Sequence, residues 1–225
     1  MTTEYRFYDE IYPAFQNFQQ KRNVSDPFDN APKHFKVNLK QLNVPPIILE
    51  NLRCLGYSLR DRKKAIGDDH LRLPIKAFAK DHAISLAMKD QEPETFKNLT
   101  DGIIDYFSIN FIKYGLSESI KNCVKQFKET LDPDNDKEML ECCKTLGETL
   151  VNSASKITEN VDEYDVLGQG DSWSSNMMFL YKDGGVPIDV KLIDWQCQRL
   201  GSPLLLYISN KRTFRQQRRL PQHLL

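Results

Sequence analysis

Three side chains in the last third of the chain have the types and spacing of a phosphate-handling site: Asp171, Asn176 and Asp194. Asp171 and Asn176 are separated by four residues in the run Gly168-Gln169-Gly170-Asp171-Ser172-Trp173-Ser174-Ser175-Asn176, and Asp194 closes the hydrophobic strand Val190-Lys191-Leu192-Ile193. Phosphoryl transfer asks for this set. One carboxylate orients or deprotonates the acceptor hydroxyl, while Mg²⁺ ions that bridge phosphate oxygens are held by a second carboxylate and an amide oxygen. On this reading Asp171 is the base, and Asn176 and Asp194 are the metal ligands for ATP and Mg²⁺. Singly, each residue is an ordinary turn former or cap; the triple at this spacing carries the reading.

The frame around these residues must bring them to one point. From residue 165 the hydrophobic period is two, with strands expected at 165–167, 177–181 and 187–193 and a turn at Asp183-Gly184-Gly185 between the last two. Those two glycines read as a turn and not as a phosphate loop, since no Gly-x-Gly-x-x-Gly context or following helix is present. Upstream, residues 71–160 read as nearly all helix. Leu71, Ile75, Phe78, Ala79, Ala83, Leu86 and Ala87 fit one helical face, and further helices are expected over 103–128 and 137–159, with an Asp or Asn of the 131–136 loop capping the second. At the start, Glu4, Tyr8, Ile11, Phe15 and Phe18 fall on one face of a helix that Pro13 should kink or end near Tyr12. Residues 35–39 and 47–49 read as paired strands turning at 42–46.

Composition narrows the function classes. The 225 residues are 40% hydrophobic and 28% charged, ordinary for a folded globular chain, and the longest apolar run, Leu204 to Ile208, is far too short for a membrane span. Lys plus Arg equals Asp plus Glu at 31 each, yet residues 210–225 hold five basic residues and no acid, which leaves the body 26 basic against 31 acidic. A mildly acidic body argues against nucleic-acid binding. Five cysteines without a Cys-x-x-Cys pair suit neither a disulfide framework nor a zinc ribbon and point to a reducing, cytoplasmic setting. The four histidines are scattered, and His82 is expected on the buried side of its helix.

The Gly170-Asp171-Ser172-Trp173-Ser174-Ser175-Asn176-Met177-Met178-Phe179 run, with Asp194-Trp195-Gln196 and Gly201-Ser202-Pro203, resembles the His-Gly-Asp-x-Trp-x-x-Asn-x-x-Phe, Asp-Phe-Gln and Gly-Ser-Pro elements of the ecdysteroid kinase-like (CHK kinase-like) family of arthropods. Glu4-Tyr5-Arg6-Phe7-Tyr8 is similar to that family's N-lobe helix. Leu49-Glu50-Asn51-Leu52 with Gly56-Tyr57 is similar to its hinge, and Ala79 to Ser85 to its Ala-Lys-Phe-His-Ala-x-Ser helix. The resemblance spans roughly residues 4–207, and it implies an α+β, protein-kinase-like fold akin to choline kinases and aminoglycoside phosphotransferases. An incomplete N-lobe and hinge would occupy 1–52, a mostly helical C-lobe with catalytic loop and hairpin 53–208, and a disordered basic tail 209–225.

By the same resemblance the chain would phosphorylate a small-molecule hydroxyl, with ecdysteroids the family's best-known substrates, and would act as a monomer with neither nucleic-acid nor membrane partners. Glu4 would pair with a phosphate-holding strand lysine, and the backbone of Glu50, Asn51 and Leu52 would meet adenine. The family histidine before Gly-Asp is Gln169 here, a brace for the catalytic loop. No glycine-rich loop or strand lysine precedes Glu4, so Glu4 is expected to lack a partner. Turnover is then expected to be weakened, with a binding module lacking turnover as the alternative. Trp173 is expected to pack rather than to touch substrate.

Overall fold

The computed structural model describes residues 2–37, 46–61, 63, 64, 66–103, 106, 109, 115–159 and 163–203. The chain divides into two units, Met1–Ile104 with Glu163–Leu225, and Asp105–Asp162. The mixture of helix with small antiparallel sheets is α+β, as expected.

In the first unit, helix α1 runs through α-helical Thr3–Arg6, π-helical Phe7–Ile11 and α-helical Tyr12–Lys21. The kink expected at Pro13 is replaced by the wide π turn. Proline lacks the N–H that an α-helix would use there, and the Tyr12 N–H reaches back five residues to the Phe7 carbonyl, so the helix widens and continues. The extra residue in that turn shifts the phase of the buried face. Phe7 therefore joins Tyr8, Ile11, Phe15 and Phe18 inside. Of the strand pair expected over 35–39 and 47–49 the described residues form one antiparallel bridge, between His34 and Leu49, while residues 38 and 39 and most of the turn at 42–46 lie outside the described residues.

Strand β1 (Tyr57–Leu59) precedes helix α2 (Asp68–Gln91), which leads through Glu92 into α3 (Pro93–Thr100). Of the face of α2 inferred from hydrophobic spacing only Phe78 is buried, and His82 is buried as expected. Ile75 and Leu86 are exposed, and the buried stripe holds Pro74, Ala77, Phe78, Asp81, His82, Ile84, Ser85 and Met88. Polar residues at three of those positions hide the stripe from a hydrophobicity pattern. Ser85 is accounted for by its Oγ, which accepts the Leu167 N–H at 2.8 Å. Asp81 is not: it is wholly buried and neither carboxyl oxygen has a hydrogen-bond partner among the described residues.

That orphan carboxyl sets a pH dependence of stability. Burial pushes Asp81 well above the usual carboxylate range and pushes His82 down to about 4. Above pH ~4 the folded Asp81 keeps a proton that the unfolded chain has lost, so stability falls with rising pH at about 1.4 kcal/mol per unit. His82 acts in the opposite sense: between about 4 and ~6.5 the unfolded ring is protonated and the folded ring is neutral, so stability rises with pH at the same slope. The two oppose each other while folded Asp81 keeps its proton, and Asp81→Asn removes the Asp81 contribution. Urea unfolding followed upward from pH ~4 should show wild type losing up to about 1.4 kcal/mol per pH unit relative to Asp81→Asn until the folded carboxyl ionises; parallel curves over the whole range would contradict a buried, unpaired Asp81.

Strand β2 (Val166–Gly168) pairs antiparallel with β5 (Arg199–Gly201), and β3 (Met177–Lys182) lies between β1 and β4 (Val186–Leu192). The β3–β4 hairpin turns at Asp183-Gly184-Gly185 as expected, and pairs Met177 with Leu192 at its far end. The main core gathers the α1 aromatics, α2, Leu167, Met177, Phe179, Val190, Leu192 and Trp195. A smaller cluster of Leu52, Tyr57 and Met178 sits on the other face of β3. In the second unit, α4 (Leu116–Glu129) and α5 (Lys137–Glu159) flank a loop tied by Asp132, whose Oδ1 accepts the N–H groups of Asp134 and Asn135. Much of the stretch expected as helix over 103–115 lies outside the described residues.

Candidate active site

The loop between β2 and β3 is fixed before any ligand is considered. Gln169 is fully buried, and its Nε2 donates to the Ile193 carbonyl at 2.6 Å and the Asp194 carbonyl at 3.2 Å. With no exposed surface Gln169 cannot touch a substrate; it braces the loop that carries Asp194. Gly170 follows at φ +80°, and a side chain there would collide with the Cys197 backbone. Asp171 then accepts the Trp173 N–H on its carbonyl at 3.0 Å, and a 3₁₀ turn over Ser174–Asn176 returns the chain toward it.

Asp171 and Asn176 meet as the sequence requires. Asn176 Nδ2 donates to both the carbonyl and Oδ2 of Asp171, each at 3.0 Å. Burial pushes the Asp171 carboxyl above its ordinary range, the Asn176 hydrogen bond opposes this, and the negative charge of Asp194 pushes it further up. A raised carboxylate is a stronger proton acceptor. With its nitrogen committed to Asp171, Asn176 has its Oδ1 left for a cation.

Asp194 is joined to this pair through the backbone, since the Ile193 N–H donates to the Asn176 carbonyl at 3.0 Å. Its own φ is +62°, uncommon for a residue with a side chain and of the kind found where function outweighs strain. Trp195 pins the next residue: its ring stacks on Phe7 with centroids 3.7 Å apart, and its indole N–H donates to the Leu192 carbonyl at 3.2 Å.

Glu4 does have a partner. Its Oε1 accepts the Trp195 N–H at 3.3 Å, and burial followed by the nearby Asp194 charge raises its pKa, partly offset by that hydrogen bond. Helix α1 is therefore tied directly to the Asp194 loop.

Glu4 and Asp194 open onto a cleft of about 550 Å³ whose lining also includes Glu50, Asn51, Leu52, Arg53, Met178 and Gln196. All four residues assigned to nucleotide binding from sequence border this one cavity. Asp171 and Asn176 do not line it and reach it only through the Ile193–Asn176 link. Within the hinge, the Glu50 N–H is spent on the Lys33 carbonyl, and the Asn51 and Leu52 carbonyls accept from Cys54 and Tyr57. Among the described residues the Leu52 N–H and Glu50 carbonyl make no backbone hydrogen bond and are left to meet a ligand edge. Arg53 and Met178 were missed from sequence; Met178 follows from strand alternation once Asn176 is placed, whereas Arg53 gives no local signal.

The oxygen donors suit Mg²⁺, which takes one or two protein oxygens and completes its shell with water and phosphate. Asn176 Oδ1 and the Asp194 carboxylate provide that number, and among the described residues no group of three or more His, Cys, Asp or Glu is placed to cage a metal. Trp173 departs from expectation: it is 56% exposed rather than packed.

A model of the ecdysteroid kinase-like family matches residues 1–220 of the chain. No curated protein matches it.

Proposed function

Because the chain belongs to the ecdysteroid kinase-like family, we propose that its elements form a protein-kinase-like fold that transfers the γ-phosphoryl of ATP to the hydroxyl of a small lipophilic, ecdysteroid-like alcohol. Residues 1–52 act as N-lobe and hinge, 53–208 as C-lobe, and 209–225 as a basic tail. The observation that carries this reading is the single connected network of Asp171, Asn176 and Asp194, braced by Gln169 and bordering a cleft lined by hinge residues. When bound, Mg·ATP supplies the phosphoryl group and neutralises the charge that develops on it.

Within that frame Asp171 orients the acceptor hydroxyl and takes its proton on a carboxylate oxygen, while Asn176 holds Asp171 in place. Asn176 Oδ1 and Asp194 would hold the metal, and the Leu52 N–H and Glu50 carbonyl would orient the adenine ring. Asp171 must be ionised to act, so activity should fall as pH drops, with the acid limb above the ordinary carboxylate value of ~3.9 because its pKa is raised. A small-molecule acceptor, a monomeric state and a cytoplasmic setting complete the proposal, and the five free thiols suit a reducing compartment.

A second reading is ligand binding without turnover, in which Glu4 serves to brace the Asp194 loop through the Trp195 N–H. Calorimetric titration tests the shared premise of both readings. Mg·ATP should bind with an affinity that depends on Mg²⁺, and Asp194→Asn should weaken it by at least about the tenfold that losing one outer-shell partner of a metal costs. Equal binding with and without Mg²⁺ would overturn the metal assignment.

A further inference from the structure

Side chains alternate along β3, and the two faces of that strand serve different cavities. Met178 lines the cleft with Glu4 and Asp194, whereas Met177 and Phe179 line a separate slot with Leu71, Pro74 and Ile75 of α2. The enclosed part of the slot is only about 40 Å³, room for a methyl group or a ring edge. Its lining is completed by Trp173 and Ser174, which belong to the loop that runs from Asp171 to Asn176.

Trp173 is 56% exposed and Ile75 is 37% exposed, so two large apolar groups flank the slot at the surface. An exposed indole beside an apolar recess is unfavourable in water and favourable once a flat apolar ligand covers it. Arg60 and His70 give the slot a polar edge, and His70 Nε2 lies 3.1 Å from the Tyr181 hydroxyl. The recess is too narrow for a helix or strand. The loop that borders it also carries the base, and the nucleotide cleft opens on the other face of β3.

We infer that this slot seats the apolar body of the acceptor alcohol, with Trp173 as the platform on which it lies and Ile75 as its second wall. The inference rests on the phosphotransfer reading above. A ring edge enters between Met177, Phe179 and Pro74, the face of the ligand covers Trp173, and the hydroxyl is left at the loop that holds Asp171. The apolar body of the acceptor and the adenine end of the nucleotide then lie on opposite faces of β3 and do not compete, and the reacting hydroxyl and γ-phosphoryl must meet at the Asp171–Asn176 loop.

The chain itself provides the reporter. It has two tryptophans, and Trp195 is fully buried, so a shift in emission on adding ligand reports Trp173. Titration of the full chain with a polyhydroxylated steroid, with and without Mg·ATP, should give a saturable blue shift that is absent in Trp173→Phe. Trp173→Ala should weaken steroid binding, read by calorimetry, by about tenfold or more while leaving Mg·ATP affinity unchanged, and Ile75→Ser should weaken it less. Steroid affinity unaltered in both variants, or Mg·ATP affinity lowered in parallel, would overturn the platform. Failure of Mg·ATP to bind while steroid binding still needs Trp173 would instead overturn the phosphotransfer reading and support the slot as a ligand site.

Discussion

Asp171→Asn is expected to lower phosphoryl transfer by about 10²- to 10⁴-fold, the range contributed by a positioned general base, while Mg·ATP affinity stays within about threefold. The asymmetry follows from the geometry. Asp171 does not line the hinge cleft, and its oxygens are held by Asn176 Nδ2, a hydrogen bond that the amide oxygen of the replacement can still accept. The loop should therefore keep its shape and lose only the proton acceptor. The pH profile provides a second readout, because the acid limb assigned to Asp171 should disappear in the residual activity of the variant. A drop in nucleotide affinity equal to the drop in rate would mean that Asp171 acts by holding the metal or the loop and not as the base.

Gly170→Ala is expected to destabilise the protein by about 3–5 kcal/mol or to prevent folding. Two causes add. The φ of +80° is one that a residue with a Cβ reaches at a cost of roughly 1–3 kcal/mol. A Cβ built there would also lie 2.0 Å from the Cys197 carbonyl oxygen and 2.8 Å from its carbon, and these are backbone atoms that cannot swing aside. Relief would require moving the segment that follows Trp195, and with it the Asp194 loop. Gly184→Ala separates the two causes, since Gly184 has φ +84° but nothing within 4 Å of the added atom. Urea unfolding should place Gly184→Ala about 1–2 kcal/mol below wild type and Gly170→Ala well below that. Equal losses would show that the close approach to Cys197 carries no energy.

The candidate site was more legible in the sequence than the packing that holds it. Asp171, Asn176 and Asp194 stand out because the phosphate chemistry proposed for them restricts the residue types and a short loop restricts the spacing. The ties between them are long-range and leave no periodic trace: Glu4 and Trp195 are 191 positions apart, and Gln169 spends its amide on carbonyls 24 and 25 positions downstream. The β3–β4 hairpin was readable from its alternation and its Asp-Gly-Gly turn, and the three-residue β2 from Asp165-Val166-Leu167, whereas β1 and β5, of the same length, were missed. Helix α2 was found with its face partly misjudged. His82 was placed correctly on the buried side, but the stripe also contains Asp81 and Ser85, and a hydrophobic pattern rotates away from buried polar groups. Pro13 misled for a related reason, since a π turn absorbs a missing N–H that an α-helix cannot.

The energetics and the chemistry converge on one short segment. Residues 193–195 are held by Gln169 from one side, by Asn176 from another, by Glu4 through the Trp195 N–H, and by the stack of Trp195 on Phe7. An aspartate with positive φ placed at the centre of four restraints has its backbone preorganised, which is what the proposed metal-holding role of Asp194 would call for.

The most direct test of the central claim is transfer of labelled γ-phosphate from Mg·ATP to a lipophilic alcohol, measured in parallel for wild type and Asp171→Asn. The account predicts labelled alcohol that requires Mg²⁺ and that falls by at least about 10²-fold in the variant. Labelled product formed equally by both proteins, or none from either while Mg·ATP binds, would contradict the assignment of Asp171 as the base of a phosphotransfer site.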